Sequence, residues 1–203
     1  MLARWLRAGA VVAGAAALVY FRFLRDWHLH WGATPAEARG EVAGDDLMPH
    51  PDIVATRAVE IDAPPSAVWP WLVQMGPGRG GAYTHDWIER RLGIDIRNTD
   101  RIIPEFQGLK VGDEIPMPGY AMRVERLDPE RAMVVRSTNH AWVWSFELRP
   151  AGGHTRLISR NRFRLPTLKT RAGMMPMEPA SLVMERKMLR GIKQRAESLA
   201  SPN

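Results

Sequence analysis

The sequence predicts an α+β domain in which a run of antiparallel strands is followed by a long C-terminal helix. Short runs of alternating apolar and polar residues, separated by turn signals, fill the middle of the chain, and a long amphipathic stretch follows them. The composition is that of a globular protein, with 45% apolar and 25% charged residues. A chain of 203 residues can supply one domain of about 150 residues and an N-terminal extension. Because the chain has no cysteine, disulfides, thiolate chemistry and cysteine-based zinc sites are excluded.

Residues 1–30 form a hydrophobic N-terminal segment. Its uncharged run, Ala8–Phe21, is framed by Arg4 and Arg7 on one side and by Arg22 and Arg25 on the other. A spanning helix needs about 20 apolar residues, and arginine side chains at its ends can reach the membrane interface. We therefore predict a single-pass membrane anchor, with a cleaved or uncleaved signal peptide and an interfacial helix as the alternatives. Two arginines on each side leave the orientation open.

The next stretch, residues 31–52, is predicted to be a linker that carries one short helix. Thr34 can cap that helix, with Pro35 at its first position and Glu37 in its first turn. The main domain is then expected to occupy residues 53–200.

The domain is predicted to begin with a strand and two helices. Ala55–Ile61 alternates as a half-buried strand does. Asp62 can cap a helix that is kinked at Pro70 and ends at Gly76. A second helix is expected over Thr84–Leu92.

The remaining elements are strands and a final helix. Five strand-like runs follow in succession: Val111–Met117, Tyr120–Leu127, Ala132–Thr138, Ala141–Leu148 and Thr155–Leu165. The breaks between them are short, which favours antiparallel hairpins over parallel crossovers. A helix is expected over Pro179–Leu199, because apolar residues recur there at helical spacing. This stripe consists of Met184, Met188, Ile192, Ala196 and Leu199.

Several sequence runs resemble an uncharacterised bacterial subgroup of the SRPBCC (START and polyketide cyclase-like) superfamily, which often carries a hydrophobic N-terminal segment. These runs are Ile61–Gly76, Arg79–Glu89, Pro104–Pro116, Thr155–Arg164 and Val183–Glu197. The resemblance implies a helix-grip fold, in which a curved antiparallel sheet wraps around the long C-terminal helix and leaves a cavity between them. It also implies a lipid-like or polyketide-like small molecule as ligand, or a cyclase or dehydratase activity, since this fold supports many functions.

Strand alternation predicts which side chains would face such a cavity. With the amphipathic stripe of the last helix, the inward faces give the following candidate ligand-binding residues: Tyr120, Met122, Trp142, Trp144, Phe146, Ser159, Asn161, Phe163, Met184 and Met188. This set is mostly apolar with a few hydrogen-bonding groups, which is typical of a small-molecule pocket. An aromatic stripe of this kind is equally expected of an ordinary core.

The opposite face of the last strand carries a row of arginines. The row consists of Arg156, Arg160, Arg162 and Arg164. Because unpaired arginines are not buried, this face is predicted to point away from the cavity towards solvent. No aromatic residues alternate with the arginines as a stacking platform would require, so no nucleic-acid partner is predicted.

The best cluster for acid–base chemistry is His85, Asp86 and Glu89, with Arg79 as a charge near the cavity mouth. His85 and Glu89 share a face of the predicted second helix. These residues are too few for a tight metal site, so neither a metal nor a cofactor is predicted. Surface polar residues near a helix start would give the same pattern. The loop Gly76–Gly81 has the spacing of a dinucleotide-binding loop, but a helix and not a strand precedes it, so that interpretation is rejected.

Two functions therefore compete at this point. The first is a membrane-tethered protein that binds a hydrophobic small molecule. The second is a cyclase or dehydratase in which the cavity orients a flexible substrate and one acid or base assists the reaction.

Overall fold

The computed structural model describes residues 19–85 and 97–201. Their architecture is α+β, with a six-stranded antiparallel sheet and a long C-terminal helix, so the predicted fold class is confirmed. Most of the hydrophobic run Ala8–Phe21 and of the predicted helix Thr84–Leu92 lies outside the described residues.

The sheet is curved, and every pair of neighbouring strands in it is antiparallel. Its strands are β1 (Ile53–Ile61), β2 (Glu114–Met117), β3 (Tyr120–Asp128), β4 (Ala132–Ser137), β5 (Trp142–Ala151) and β6 (His154–Phe163). Their order is β1-β6-β5-β4-β3-β2, so β1 is an edge strand that pairs with β6, the last strand in the sequence. β2 begins three positions later than the run that starts at Val111 suggests. The reason is a turn in which Gly112 has a φ of +96° and Asp113 accepts a hydrogen bond from the amide of Lys110.

Four α-helices accompany the sheet in the described part of the chain. They are α1 (Arg25–Leu29), α2 (Pro35–Arg39), α3 (Pro65–Val73) and α4 (Leu168–Ala200). α2 has the predicted cap, in which Thr34 and Glu37 bond each other's backbone amides. The predicted cap of α3 is wrong, because Pro64 holds the cap position while Asp62 bonds the His154 ring at 2.8 Å.

Helix α4 is longer than the sequence predicts. It begins at Leu168 rather than near Pro179, since Thr167 and Thr170 form a reciprocal cap upstream. Pro176 and Pro179 lie inside the helix and each removes one backbone donor. This part of the helix is exposed, so water can satisfy the carbonyl groups left free.

The stretch from residue 31 to residue 52 packs on the outer face of the sheet. Its contacts compensate the arginine row: Arg160 forms an ion pair with Asp45 at 2.6 Å and donates to the carbonyl of Glu37 at 2.6 Å. Arg156 pairs with the Glu37 carboxylate at 2.9 Å. The row points away from the helix side, as predicted, but the expectation that it faces solvent is wrong for Arg160, which is only 2% exposed. The carboxylates and carbonyls that neutralise it come from a distant part of the chain.

The N-terminal described segment docks against the C-terminal helix. A turn of π-helix, Tyr20–Leu24, continues into α1, which contacts α4 and β1. Arg25 holds Glu178 of α4 with two hydrogen bonds of 2.9 Å, and Leu29 is buried. Among the residues described, none of the helices combines the length and apolarity that a membrane crossing requires.

The core lies between the inner face of the sheet and helices α3 and α4. Trp71 and Leu72 of α3, Leu189 and Ile192 of α4 and Phe146 of β5 are all buried there. This core fills only part of the space under the sheet, and a cavity remains beside it.

Candidate functional site

A cavity of about 350 Å³ lies between the sheet and the N-terminal half of α4. Its sheet side is formed where β1, β3 and β5 begin and β6 ends, and its other side is α4. It is lined by Leu29, Ile53, Ala55, Ala82, Thr84, Tyr120, Trp142, Trp144, Asn161, Phe163, Met174, Met177, Glu178, Ser181, Met184, Glu185 and Met188. A volume of this size falls within the usual range for small-molecule pockets, roughly 300–1,000 Å³.

Aromatic rings form the sheet side of the cavity. Trp142 and Trp144, two positions apart on β5, stack with their ring centroids 5.1 Å apart. Trp142 also stacks on Phe163, its cross-strand partner on β6, at 5.6 Å. Trp144 contacts the buried Phe146 at 4.7 Å, which ties the wall to the core. The wall is therefore an extended, flat and rigid apolar surface.

The helix side of the cavity is rich in methionine. Met174, Met177, Met184 and Met188 all line it, and Met188 is fully buried. Unbranched thioether side chains adapt to ligands of different shape and make favourable contacts with aromatic rings. A rigid aromatic wall thus faces an adaptable one.

The carboxylate of Glu185, on α4, is at the centre of a buried hydrogen-bond network. Ser159 donates to its Oε1 at 2.6 Å, and the Asn161 amide lies 3.1 Å from both of its oxygens. The indole N–H of Trp144 donates to Ser159, and that of Trp142 donates to Asn161, each at 2.9 Å. The network therefore fixes both tryptophan rings through their only polar atoms.

Arg57 of β1 neutralises Glu185. Its guanidinium is almost completely buried, with Nη1 on Glu185 and Nη2 on the Ser181 hydroxyl at 2.9 Å. The Nε–H donates to the carbonyl of His28 at 3.1 Å. The ion pair of Arg57 and Glu185 thus links the sheet to α4 and to the end of α1.

A second carboxylate, Glu178, lies near the cavity edge, where it accepts hydrogen bonds from Arg25 and from the Tyr20 hydroxyl at 2.9 Å. His28 lies 3.6 Å from the same carboxylate, and burial lowers its pKa. This cluster attaches the N-terminal segment beside the cavity.

The structure brings together most of the candidate ligand-binding residues. Those that line the cavity are Tyr120, Trp142, Trp144, Asn161, Phe163, Met184 and Met188. Met122 and Phe146 point to the same side of the sheet but lie in the closed core. Ser159 is buried behind Trp144 and contacts Glu185.

Three charged residues near the cavity are absent from the sequence-based set, namely Arg57, Glu178 and Glu185. Arg57 occupies an inward position of β1, since it alternates with Ala55 and shares its face. Glu185 falls three residues before Met188 on the buried stripe of α4. Because a buried charge needs a partner, the inward positions of Arg57 on β1 and of Glu185 on α4 are the signal from which an ion pair between them could have been predicted.

Of the acid–base candidates, the two that the structure describes, Arg79 and His85, do not line the cavity. His85 lines an open groove on another side of α4 together with Tyr83 and Arg195. Arg79 donates to the carbonyl of Val73 at 2.9 Å and lies over the Phe106 ring, and burial lowers its pKa. The remaining candidates, Asp86 and Glu89, lie outside the described residues.

Comparisons with known proteins add solved structures but no family assignment. No family model and no curated protein matches the chain. A polyketide cyclase-like protein from Corynebacterium glutamicum is 16% identical, with 75% of this chain and 91% of that chain covered and a TM-score of 0.37. A conserved protein of unknown function from Enterococcus faecalis is also 16% identical, with 73% and 74% covered and a TM-score of 0.42.

CalU16 from Micromonospora echinospora has the same 16% identity, covers 72% of this chain and 86% of its own, and gives a TM-score of 0.38. Similarity this low says nothing about the ligand or activity of the present chain. The helix-grip arrangement is instead visible in its own sheet and C-terminal helix.

Proposed function

We propose that the protein binds an apolar or amphipathic small molecule in the cavity between the sheet and α4. The observation that carries this proposal is the cavity wall, in which stacked tryptophans face methionines and the polar groups behind them are already paired. Such a wall favours ligands through burial of apolar surface, worth roughly 25 cal/mol per Å².

Binding is favoured over the alternative, a cyclase or dehydratase acting on a polyketide-like substrate. Removing a proton from such a substrate needs a general base within hydrogen-bond distance. Among the described residues, two carboxylates line the cavity, and both are held in ion pairs, Glu178 with Arg25 and Glu185 with Arg57. His85 lines a different groove.

The test of binding is native mass spectrometry of the full-length protein, followed by extraction of any bound molecule and titration with an apolar fluorescent probe. Met184→Trp should fill the cavity and abolish probe binding, because Met184 lines it. Val183→Trp is the matched control, because Val183 is the neighbour of Met184 on α4 but is exposed. Equal probe affinity in both variants would contradict the proposal.

We further propose that the protein is tethered to a membrane through its N-terminal segment. Large apolar side chains are exposed on this segment and on the first turns of α4. They are Val19, Phe23, Leu24 and Trp27 on the segment and Leu168, Met175 and Met177 on the helix. Exposed patches of this kind mark sites that contact a protein or a membrane. The uncharged run Ala8–Phe21 is followed directly by the exposed Phe23, Leu24 and Trp27, which supports a bilayer as the partner.

The tether is tested by alkaline carbonate extraction of membranes that contain the full-length protein. The protein should remain in the membrane pellet. Recovery of intact protein in the soluble fraction would contradict the tether and leave the binding proposal standing.

A further inference from the structure

We infer that the cavity selects a neutral ligand that carries a hydrogen-bond acceptor, such as a ketone, and that the Tyr120 hydroxyl is the group that recognises it. This inference rests on the proposed binding function and names the chemical class of its ligand. It follows from an inventory of the polar groups that line the cavity.

Among the side chains that the structure describes, all but one of these polar groups are engaged within the protein. The oxygens of Glu185 accept hydrogen bonds from Ser159, Asn161 and Arg57. These bonds together use the lone pairs of the carboxylate. Glu178 accepts from Arg25 and Tyr20.

The smaller polar groups are engaged in the same way. The Ser181 hydroxyl donates to the Glu178 carbonyl at 2.7 Å and accepts from Arg57. The carbonyl oxygen of Asn161 accepts from Trp142. Thr84 also has an interaction partner.

Tyr120 is the exception among the cavity-lining groups that the structure describes. It is the first residue of β3 and shares its inward face with the buried Met122 and Val124, so its ring enters the cavity. No protein group in the described part of the chain bonds its hydroxyl. A tyrosine phenol is protonated at neutral pH and can donate, and burial raises the pKa of this one further. Tyr120 therefore brings a phenol without a protein partner to a cavity whose other described polar groups are already engaged.

The charges near the cavity favour a neutral ligand over an anionic one. Glu178 and Glu185 line the cavity, whereas their partners Arg25 and Arg57 do not. A ligand carboxylate would therefore approach the negative ends of two ion pairs and would lose its hydration without gaining a cation. A ketone loses little hydration and regains one hydrogen bond from Tyr120.

Three naphthalene probes test the inference on the full-length protein. Prodan is neutral and carries a ketone, dimethylaminonaphthalene lacks the ketone, and dimethylaminonaphthoic acid replaces it with a carboxylate. Prodan should bind the unaltered protein at least about tenfold more tightly than the acid. Tyr120→Phe should weaken prodan binding by about three- to tenfold, the range of one neutral hydrogen bond, and shift its bound emission to the blue.

The ketone-free probe provides the matched control. Its affinity should be the same for the unaltered protein and for Tyr120→Phe, and the thermal midpoint of the variant should not fall, because the hydroxyl has no internal partner to lose. If all three probes bind but Tyr120→Phe leaves prodan affinity and emission unchanged, Tyr120 does not recognise the ketone. If the acid binds as tightly as prodan, the selectivity for neutral ligands is wrong. If no probe binds at all, the proposed function itself fails.

Discussion

At the scale of single residues, the buried pair of Arg57 and Glu185 is the costliest feature of the cavity. Removing two charges from water costs several kcal/mol for each ion, which their attraction and hydrogen bonds must offset. Both members are nearly inaccessible to solvent and each makes further hydrogen bonds. Neither can be removed alone without leaving the other charge unpaired.

We therefore expect Glu185→Gln to lower the free energy of unfolding by about 3–5 kcal/mol, the usual cost of breaking a buried ion pair. Urea denaturation measures this change. The double variant with Arg57→Met and Glu185→Leu should be more stable than the variant with Arg57→Met alone or with Glu185→Leu alone, because it leaves no unpaired charge.

The matched control for this pair is Asp46→Asn. Asp46 forms an ion pair with Arg126 in which both side chains are well exposed, so its loss should cost no more than about 1 kcal/mol. Similar losses for Glu185→Gln and Asp46→Asn would show that burial does not set the energy of the Arg57 pair.

Trp144 links the cavity wall to the hydrogen-bond network. Trp144→Ala should lower the free energy of unfolding by roughly 3 kcal/mol and weaken binding of apolar probes, because it removes the stack on Trp142 and the bond to Ser159. The same is expected of Trp142→Ala. Urea denaturation and probe titration separate the two effects. Trp27→Ala is the control, since Trp27 is 57% exposed and lies outside the cavity lining.

At the scale of elements, α4 contains two glycines in opposite surroundings. A β-carbon added at Gly191 would lie 2.8 Å from the backbone oxygen of Tyr83, whereas nothing lies within 4 Å of one added at Gly173. Gly191 thus permits the loop that carries Tyr83 to approach the helix. Gly173 has no such role.

Substitution by alanine should therefore have opposite effects at the two sites. Gly173→Ala should raise the free energy of unfolding by up to about 1 kcal/mol, the gain in helix propensity. Gly191→Ala should lower it by about 1–3 kcal/mol, because the clash with backbone outweighs that gain. Thermal or urea unfolding of the two variants gives the comparison, and a stabilised Gly191→Ala would contradict the close approach.

At the scale of the whole molecule, ion pairs join the stretch of residues 31–52 to the outer face of the sheet. The hydrogen bond from Arg156 is the largest cause that lowers the pKa of Glu37 from 4.5 to about 2. Because the folded pKa is the lower one, the stabilisation is complete above pH 4.5 and is lost as the pH falls towards 2. Because solvent screens this partly exposed pair, its contribution to the free energy of unfolding is expected to be about 1 kcal/mol.

Glu37→Gln should therefore lower the free energy of unfolding at neutral pH and flatten its fall at acid pH. Urea unfolding across the acid range measures both effects. Glu41→Gln, an exposed residue of the same stretch, should leave the pH profile unchanged. A profile for Glu37→Gln parallel to that of the unaltered protein would show that this carboxylate does not anchor the stretch.

The fold class and the inward face of the strands could be predicted from the sequence because both depend on local periodicity. The alternation in Trp142, Trp144 and Phe146 assigns these side chains to one side of β5 whatever lies opposite. The same holds for the stripe that includes Met188 on α4. Helix ends were less predictable, since the cap at Thr167 outweighs the two prolines that follow it.

By itself, then, the sequence determined the α+β class, the strand order along the chain and the apolar character of the face that borders the cavity. Only the tertiary structure decided that Trp144 lines the cavity while Phe146 closes the core, and that Glu185 of α4 pairs with Arg57 of β1. It also decided that Arg160 is buried by residues 31–52. The physical reason is that periodicity sets the direction of a side chain, whereas the partner that it meets comes from a distant part of the chain.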